Sequence, residues 1–374
     1  MKLVHISDLH LGKRLYETSL MEDQEDILKQ ILAVIDSENP LGVLIAGDVY
    51  DKSMPSAEAV ALFDFFLAEL ARRKKEVFVI SGNHDSAERI AFGSTIMAGA
   101  GIHLSPVYHG EIKPTTLRDE HGEVDIYMLP FVKPSHVRRF FGDEEIDSYT
   151  DAMRVAIEKM HVDTSRRNVL VTHQFVTGAG RCDSEESVGG TDNVDASVFK
   201  DYDYVALGHL HGPQFCSGPR IRYCGTPLKY SFSEAEDTKS VTLVTLGEKG
   251  GEPEIKTFPL KPRRDMVRVR GTFDELMERA ERTEDYVQIT LTDEEDVPGA
   301  MSRLQTIYKN ALELRYDNAR TRANELILGT EAAERKTALE LFGEFYLDRN
   351  NTEMTPTQHA YVKALIEKLE EEDA

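Results

Sequence analysis

The chain has 374 residues, of which 41% are hydrophobic and 29% charged; this is an ordinary globular composition and excludes a disordered or fibrous chain. Its formal net charge of -22 argues against a broad nucleic-acid-binding surface, because phosphate recognition rests on clustered Lys and Arg. Cys182, Cys216 and Cys224 are odd in number and lack CxxC spacing, which speaks against a disulfide framework or a thiolate metal site and for a reducing cytoplasm.

Lys2 to Ser7 reads as a strand, and Asp8 to Gly12 as the loop at its C-terminal end. The charged and polar residues Lys2, His5, Asp8, His10, Lys13 and Arg14 leave no apolar stretch for a signal peptide, and no run of ~18 apolar residues follows, so no membrane span is expected. Ile27, Leu28, Ile31, Leu32 and Ile35 are at helical spacing within Met21 to Asp36, with Pro40 beyond. Gly42 to Ala46 is a buried strand, Pro55 to Arg73 an amphipathic helix, Glu76 to Ile80 a strand running into Gly82, and Glu88 to Met97 a helix. Alternation of this kind predicts a layered α/β domain, in which ligands gather at the carboxyl ends of strands.

Further strands are expected at Val124 to Leu129, Asn168 to Thr172, Tyr204 to Leu207, Arg220 to Tyr223 and Ser240 to Leu246. The turn signals among the last of these predict a mixed sheet or two sheets. Thr177 to Asp195 is a polar loop. The domain ends near Pro259 to Pro262, since single cores stop growing near roughly 250 to 300 residues. A second βαβαβ cycle then runs through strand Met266 to Arg270, helix Phe273 to Arg282, strand Tyr286 to Leu291, helix Pro298 to Asn310 and strand Leu312 to Tyr316. Two amphipathic helices close the chain, Glu334 to Leu347 and Pro356 to Glu371, the second opened by the capping box Thr355-Pro356-Thr357-Gln358. The expected divisions are 1–262, 263–318 and 319–374.

Five polar clusters fall at strand ends: Asp8-Leu9-His10, Gly47-Asp48, Gly82-Asn83-His84-Asp85, His173, and Gly208-His209-Leu210-His211. They offer carboxylate, amide and imidazole but no thiolate, a set that favours manganese, iron or zinc over magnesium or calcium. Asp8 and His10 can reach one ion if their loop curls. The two oxygens of Asp48 can bridge to a second ion ~3.5 to 4 Å away. Asn83 adds a neutral oxygen, His209 and His211 can split between the ions, and His173 completes the set. Two ions so held would activate water and neutralise a phosphoryl group under attack, which points to phosphoester hydrolysis.

Asp8-x-His10, Gly47-Asp48-x-x-Asp51, Gly82-Asn83-His84-Asp85, His173 and Gly208-His209-x-His211, in that order, resemble the signature of the calcineurin-like metallophosphoesterases. The flanking Ala206 to Gln214 and Tyr223 to Glu234 are similar to the nuclease subunits that work with a coiled-coil ATPase. The resemblance covers about 1 to 260 specifically. It implies a four-layer α-β-β-α core, a small α/β capping domain at 263–318 and a helical tail that docks on the ATPase. It also implies a homodimer within a heterotetramer and manganese-dependent, ATP-regulated cleavage of double-stranded DNA ends and hairpins. It implies that Asp8, His10, Asp48 and His211 hold one manganese ion, that Asp48, Asn83, His173 and His209 hold the other, and that His84 is the catalytic acid. One departure is Asp51, where archaeal and eukaryotic relatives carry a second histidine.

Plainer readings stand beside these. A single Asp-x-His or His-x-His is a weak signal, and only the joint pattern is informative. Lys261, Arg263, Arg264, Arg268 and Arg270 are read as a linker and the outer face of a strand rather than a DNA contact, and Arg72 to Lys75 as cations complementing a helix dipole. Two rival functions share the motif set: a phosphoprotein phosphatase or cyclic-nucleotide phosphodiesterase, and a DNA-end scaffold with an idle metal site.

Overall fold

A computed structural model describes residues 1–177, 193–279, 283–322, 338–350 and 352–372. Two six-stranded mixed sheets stack face to face. In the first, Lys2–Ile6, Gly42–Ala46, Glu76–Ile80 and Ile102–Leu104 run parallel in that spatial order, and Ser240–Thr245 and then Glu254–Pro259 add antiparallel strands beside Lys2–Ile6. In the second, Gly122–Leu129, Arg167–His173, Tyr204–Gly208 and Ile221–Tyr223 are parallel neighbours, edged by antiparallel Thr115–Asp119 and Gln214–Phe215.

The two-residue period of a strand builds the layers. Val4, Ile6, Val43, Ile45, Val77 and Val79 face the helices Met21–Glu38 and Ala57–Arg72. Their neighbours Leu3, Leu44, Ala46, Phe78 and Ile80 point the other way, onto Val124, Ile126, Val169, Val171, Tyr204 and Ala206 of the second sheet. The far side of that sheet is covered by Pro134–Arg138 and Tyr149–Glu158 through Val137, Ala152, Met153, Val155 and Ala156. The result is the four-layer α-β-β-α sandwich that the family resemblance implied.

Helix ends follow local chemistry. Met21–Glu38 stops where Asn39 turns left-handed at φ 47° and donates to the Ile35 carbonyl, a C-terminal motif that Asn tolerates better than most residues. Ala57–Arg72 starts at Ser56, whose hydroxyl accepts from the Ala59 N–H.

Three expectations change. The helix expected over Glu88 to Met97 is two short helices, Ala87–Ile90 and Ser94–Met97, parted at Gly93. Phe92 and Ile96 are 83% and 85% exposed, so no packed face sustains a continuous helix. The helix expected over Pro298 to Asn310 spans only Ala300–Leu304, and the strand after it starts at Tyr308 rather than Leu312. Tyr308 is buried and its hydroxyl donates to the Leu276 carbonyl, so tertiary contact overrides helix propensity there. Helix Tyr149–Glu158 was not expected, although Ser148 and Asp151 form a capping box ahead of an apolar face.

Met266–Gly271, Thr283–Leu291 and Tyr308–Tyr316 form a separate parallel sheet with its own small core around Leu276, Val287, Ile289 and Leu304. The helix after Met266–Gly271 ends at Glu278, and residues 280–282 of its expected span lie outside the described residues. So do the start of the helix expected from Glu334 and most of the polar loop between Thr177 and Asp195. Ala338–Asn350 and Pro356–Glu372 are helical, and the Thr355–Gln358 capping box is formed. No described helix is long and apolar enough to cross a membrane.

Phe78 is fully buried between the sheets and stacks on His103 with centroids 4.8 Å apart. Phe78→Ala is expected to cost about 3 to 5 kcal/mol, read as a lowered urea midpoint at unchanged m-value.

Candidate metal centre

The carboxyl ends of strands from both sheets meet along one edge of the sandwich. The loops leaving Lys2–Ile6 and Gly42–Ala46 continue side by side: Asp8 N–H donates to Gly47 O at 3.0 Å, His10 N–H to Asp48 O at 3.0 Å and Leu11 N–H to Val49 O at 2.9 Å. This path holds Asp8, His10 and Asp48 at φ 53°, 43° and 49°, and His209, after strand Tyr204–Gly208, stands at 102°. Such angles are uncommon outside glycine and cluster at functional sites. Two glycines let the loops close up. A Cβ at Gly208 would collide with the Ala46 carbonyl of the opposite sheet, and one at Gly82 with the Asp48 carboxylate.

Every side chain singled out in the sequence reaches this edge. The Asp48 carboxylate lies at the middle: Oδ1 accepts the His84 N–H at 2.9 Å, and Oδ2 is 3.3 Å from His173 Nε2, 3.7 Å from His10 Nε2 and 3.9 Å from His84 Nε2. Asn83 Oδ1 lies 2.9 Å from His173 Nε2 and 3.0 Å from His209 Nδ1. Asp8, His10 and His211 form one group able to hold a cation; His10, Asp48 and His84 form a second, and Asp8, Asp48 and His173 a third. Within each group the ligand atoms lie within 4.8 Å of one another.

The site fits metal. Among the described residues, both ring nitrogens of His10 are buried without a hydrogen-bond partner, beside the buried carboxylates Asp8 and Asp48. Orphaned buried imidazole nitrogens are rare and costly unless something else satisfies them. Carboxylate, imidazole and amide together suit manganese, iron or zinc.

Surrounding groups aim these side chains. His173 Nδ1–H donates to the Ala46 carbonyl at 2.8 Å, which turns Nε2 toward Asp48. His211 Nδ1 faces Glu234 Oε1 at 3.4 Å, and Glu234 is in turn held by Lys239 at 2.6 Å and by the Tyr230 N–H at 3.3 Å. Gln24 donates to the His10 carbonyl at 2.7 Å and accepts from the Gly12 N–H at 3.0 Å. Asp85 sits in the Gly82-Asn83-His84-Asp85 cluster, but its carboxylate accepts three backbone N–H groups, from Val49, Tyr50 and Gly82. Sequence reasoning assigned no role to Glu234, Gln24 or Asp85. Asp85 lay inside a ligand motif and Glu234 at the end of the run Tyr223 to Glu234, whereas Gln24 carried no signal.

Asp51 pairs with Lys13 at 2.8 Å and stands 3.8 Å from His10 Nδ1, while its carbonyl accepts from His84 Nδ1 at 3.2 Å. The arginines of the junction have partners within the chain, although Arg263, Arg268 and Arg270 are exposed. Arg263 pairs with Glu22 and Arg264 with Asp23, Arg268 donates to the Phe232 and Ser233 carbonyls, and Arg270 pairs with Asp317. Arg73 likewise pairs with Asp36.

Burial opposes charge on His173, yet the Asp48 and Asp8 carboxylates outweigh it and raise its pKa to about 9. Burial raises Asp8 to about 6, with the Asp48 charge adding to it. Asp48 is held well below the usual range: burial works against ionisation, but the neighbouring histidines, His173 first, dominate. Burial pushes His10 well below its usual value. In the metal-free protein, His173 therefore keeps its proton in the folded state between the ordinary His value near 6.5 and about 9, where the unfolded chain releases it. The His173 contribution to stability is complete below pH ~6.5 and lost as pH rises toward 9. Thermal unfolding in EDTA should show a melting temperature that falls across that window, and His173→Gln should flatten the fall.

Residues 1–213 match the family model of the calcineurin-like phosphoesterases, and residues 262–350 match that of the type 5 capsule protein repressor C-terminal domain. The chain is similar to a Staphylococcus epidermidis protein named as the SbcD subunit of nuclease SbcCD, at 33% identity over 323 residues, covering 84% of this chain and 85% of that one. It is also similar to the protein of the same name from Staphylococcus saprophyticus, at 34% identity over 322 residues and 84% of each chain. Among solved structures, TT1561 of Thermus thermophilus overlays at a TM-score of 0.41 with 10% identity, covering 70% of this chain and 99% of that one, a likeness too loose to argue from.

Proposed function

Because the chain belongs to the calcineurin-like phosphoesterase family, among the SbcD subunits of SbcCD nucleases, we propose that it is the nuclease subunit of an SbcCD-type complex, cutting DNA phosphodiesters at a two-metal centre. It is a metal-dependent phosphodiesterase. The observation that carries the reading is the convergence of Asp8, His10, Asn83, His84, His173, His209 and His211 around the Asp48 carboxylate, with both His10 nitrogens lacking a hydrogen-bond partner among the described residues.

In this reading Asp8, His10, Asp48 and His211 hold one cation and Asp48, Asn83, His173 and His209 the other, with manganese the favoured ion over iron, zinc or magnesium. When bound, the two cations supply Lewis acidity, which neutralises charge on the phosphoryl group and makes water a usable nucleophile. The chain does the rest. Asp48 keeps the two sets in register, because one carboxylate belongs to both. His84 is fixed twice, by its N–H on Asp48 Oδ1 and by Nδ1 on the Asp51 carbonyl, and so presents Nε2 to the site. There it gives a proton to the leaving oxygen as general acid. Asp85 locks the turn that carries Asn83 and His84 against the loop after Asp48.

The finer reading is an ATP-dependent double-strand exonuclease (3'-5') and single-strand and hairpin endonuclease, cytoplasmic and acting in DNA recombination, replication and repair. Residues 1–262 would be the nuclease domain, 263–318 a capping domain and 319–374 the tail that docks on an SbcC-type coiled-coil ATPase. Exposed Phe342, Phe345, Tyr361 and Leu365 on the tail helices support that docking, since apolar side chains exposed on helices suit a groove-and-helix contact. The net charge of -22 supports a partner that shares the work of holding DNA phosphates. Exposed Phe92 and Ile96 support a homodimer within the heterotetramer.

The test is manganese-dependent cleavage of blunt and hairpin duplexes, with and without the ATPase and ATP. His84→Ala should lower kcat by about 10²- to 10⁴-fold at full metal content. Turnover of small phosphodiesters without any cutting of duplex would overturn the nuclease reading in favour of another dimetal phosphoesterase. By calorimetry, Asp48→Asn should weaken both cation positions and Asn83→Ala mainly one; a single intact high-affinity position in the Asp48 variant would refute the shared carboxylate.

A further inference from the structure

The three-stranded sheet and its lead-in meet the sandwich at several places, Tyr16 with Glu313 and Lys229 with Asp265 among them, and two of these contacts lie one residue from a group that aims a candidate ligand. At the first, the Arg268 guanidinium on strand Met266–Gly271 donates to the Phe232 carbonyl at 2.6 Å and the Ser233 carbonyl at 3.1 Å. The next residue is Glu234, whose buried carboxylate faces His211 Nδ1. At the second, the Tyr286 hydroxyl donates to Asp23 Oδ2 at 2.8 Å, and Arg264 grips the same carboxylate from Nε at 3.0 Å and from its terminal nitrogen at 2.6 Å. The next residue is Gln24, which clamps the His10 carbonyl and the Gly12 N–H.

Arg268 is itself exposed, but the groups it and Tyr286 lead to are not: Asp23, Gln24 and Glu234 are buried, as are Met266 and Tyr286, which belong to the same apolar cluster as the helix Met21–Glu38. Both paths also end on the same cation set, at His10 and His211. His173 and Asn83 are carried differently, on the core strand Arg167–His173 and on the turn after Glu76–Ile80, the former pinned to Ala46 of the facing sheet.

We propose that Arg268 and Tyr286 are positioning residues, through which the three-stranded sheet sets the order of the cation position formed by Asp8, His10, Asp48 and His211, leaving the other position to the sandwich alone. The proposal rests on the two-cation reading above. Its physical content is that outer groups fix ring orientation at a ligating histidine, and that losing them weakens metal affinity by about 10- to 100-fold. Displacement of the sheet, by DNA or by a partner bound to it, then acts on one cation and not on both.

The experiment uses full-length, metal-stripped protein and manganese alone, titrated by calorimetry and followed by the electron paramagnetic resonance signal of the coupled manganese pair. Arg268→Met should weaken one of two manganese positions about 10-fold and shift the signal from coupled pair to isolated ion at limiting manganese. Arg268→Lys, which keeps a donor for the Phe232 carbonyl, should restore most of the affinity. Tyr286→Phe should give a smaller loss of the same kind. In the Asn83→Ala background, where the remaining tight position is the one under test, Arg268→Met should still weaken binding. Wild-type affinity at both positions in Arg268→Met and Tyr286→Phe, or equal weakening of both, overturns the proposal while leaving the two-cation reading standing. A wild-type protein that takes up no manganese overturns both.

Discussion

The Asp48 carboxylate is the constraint on which the rest of the structure depends. A buried anion is costly unless cations or donors surround it, and here one oxygen takes the His84 N–H while the other faces His173, His10 and His84. These groups come from both sheets, so the sheets cannot be placed independently. Their carboxyl ends must coincide to within a side chain's length, which is why Gly208 and Gly82 stand where any Cβ would strike the facing backbone or the carboxylate itself. Metal chemistry and sheet packing are thus one problem with one solution.

Much of this was legible in the sequence. Runs such as Val43-Leu44-Ile45-Ala46 are apolar at every position because one face meets helices and the other meets the second sheet, and three of the runs lead into a glycine and a ligand, at Gly47-Asp48, Gly82-Asn83 and Gly208-His209. What was illegible was set by distance along the chain. Glu234 meets His211 only after the chain has formed two further strands and a turn, and nothing in its own neighbourhood marks it as a partner of an imidazole. The break at Gly93 and the early strand at Tyr308 depended on whether a neighbour was present to pack against. Local pattern carries no such information.

The acidic balance also has a structural reading. Arg264, Arg268, Arg270 and Arg73, which could have served as phosphate contacts, are taken up by carboxylates and carbonyls of the chain itself. Near the candidate centre, Lys13 is balanced by Asp51. Anionic substrate would be drawn to such an edge chiefly by the cations it holds, so metal loading and substrate attraction are coupled.

The strand pairing of the first sheet sets the timing of assembly. Lys2–Ile6 lies between Gly42–Ala46, made soon after it, and Ser240–Thr245, made much later, with Lys2 registered against Thr245. Half of that strand's backbone partners are therefore missing until the ribosome has passed most of the sandwich, and His209 and His211 come scarcely earlier. Contacts of such long sequence separation form slowly and late. A nascent chain would hold Asp8, His10, Asp48 and Asn83 as an open, incomplete cradle, so hydrolytic competence would arrive in a single late step and not by degrees during translation.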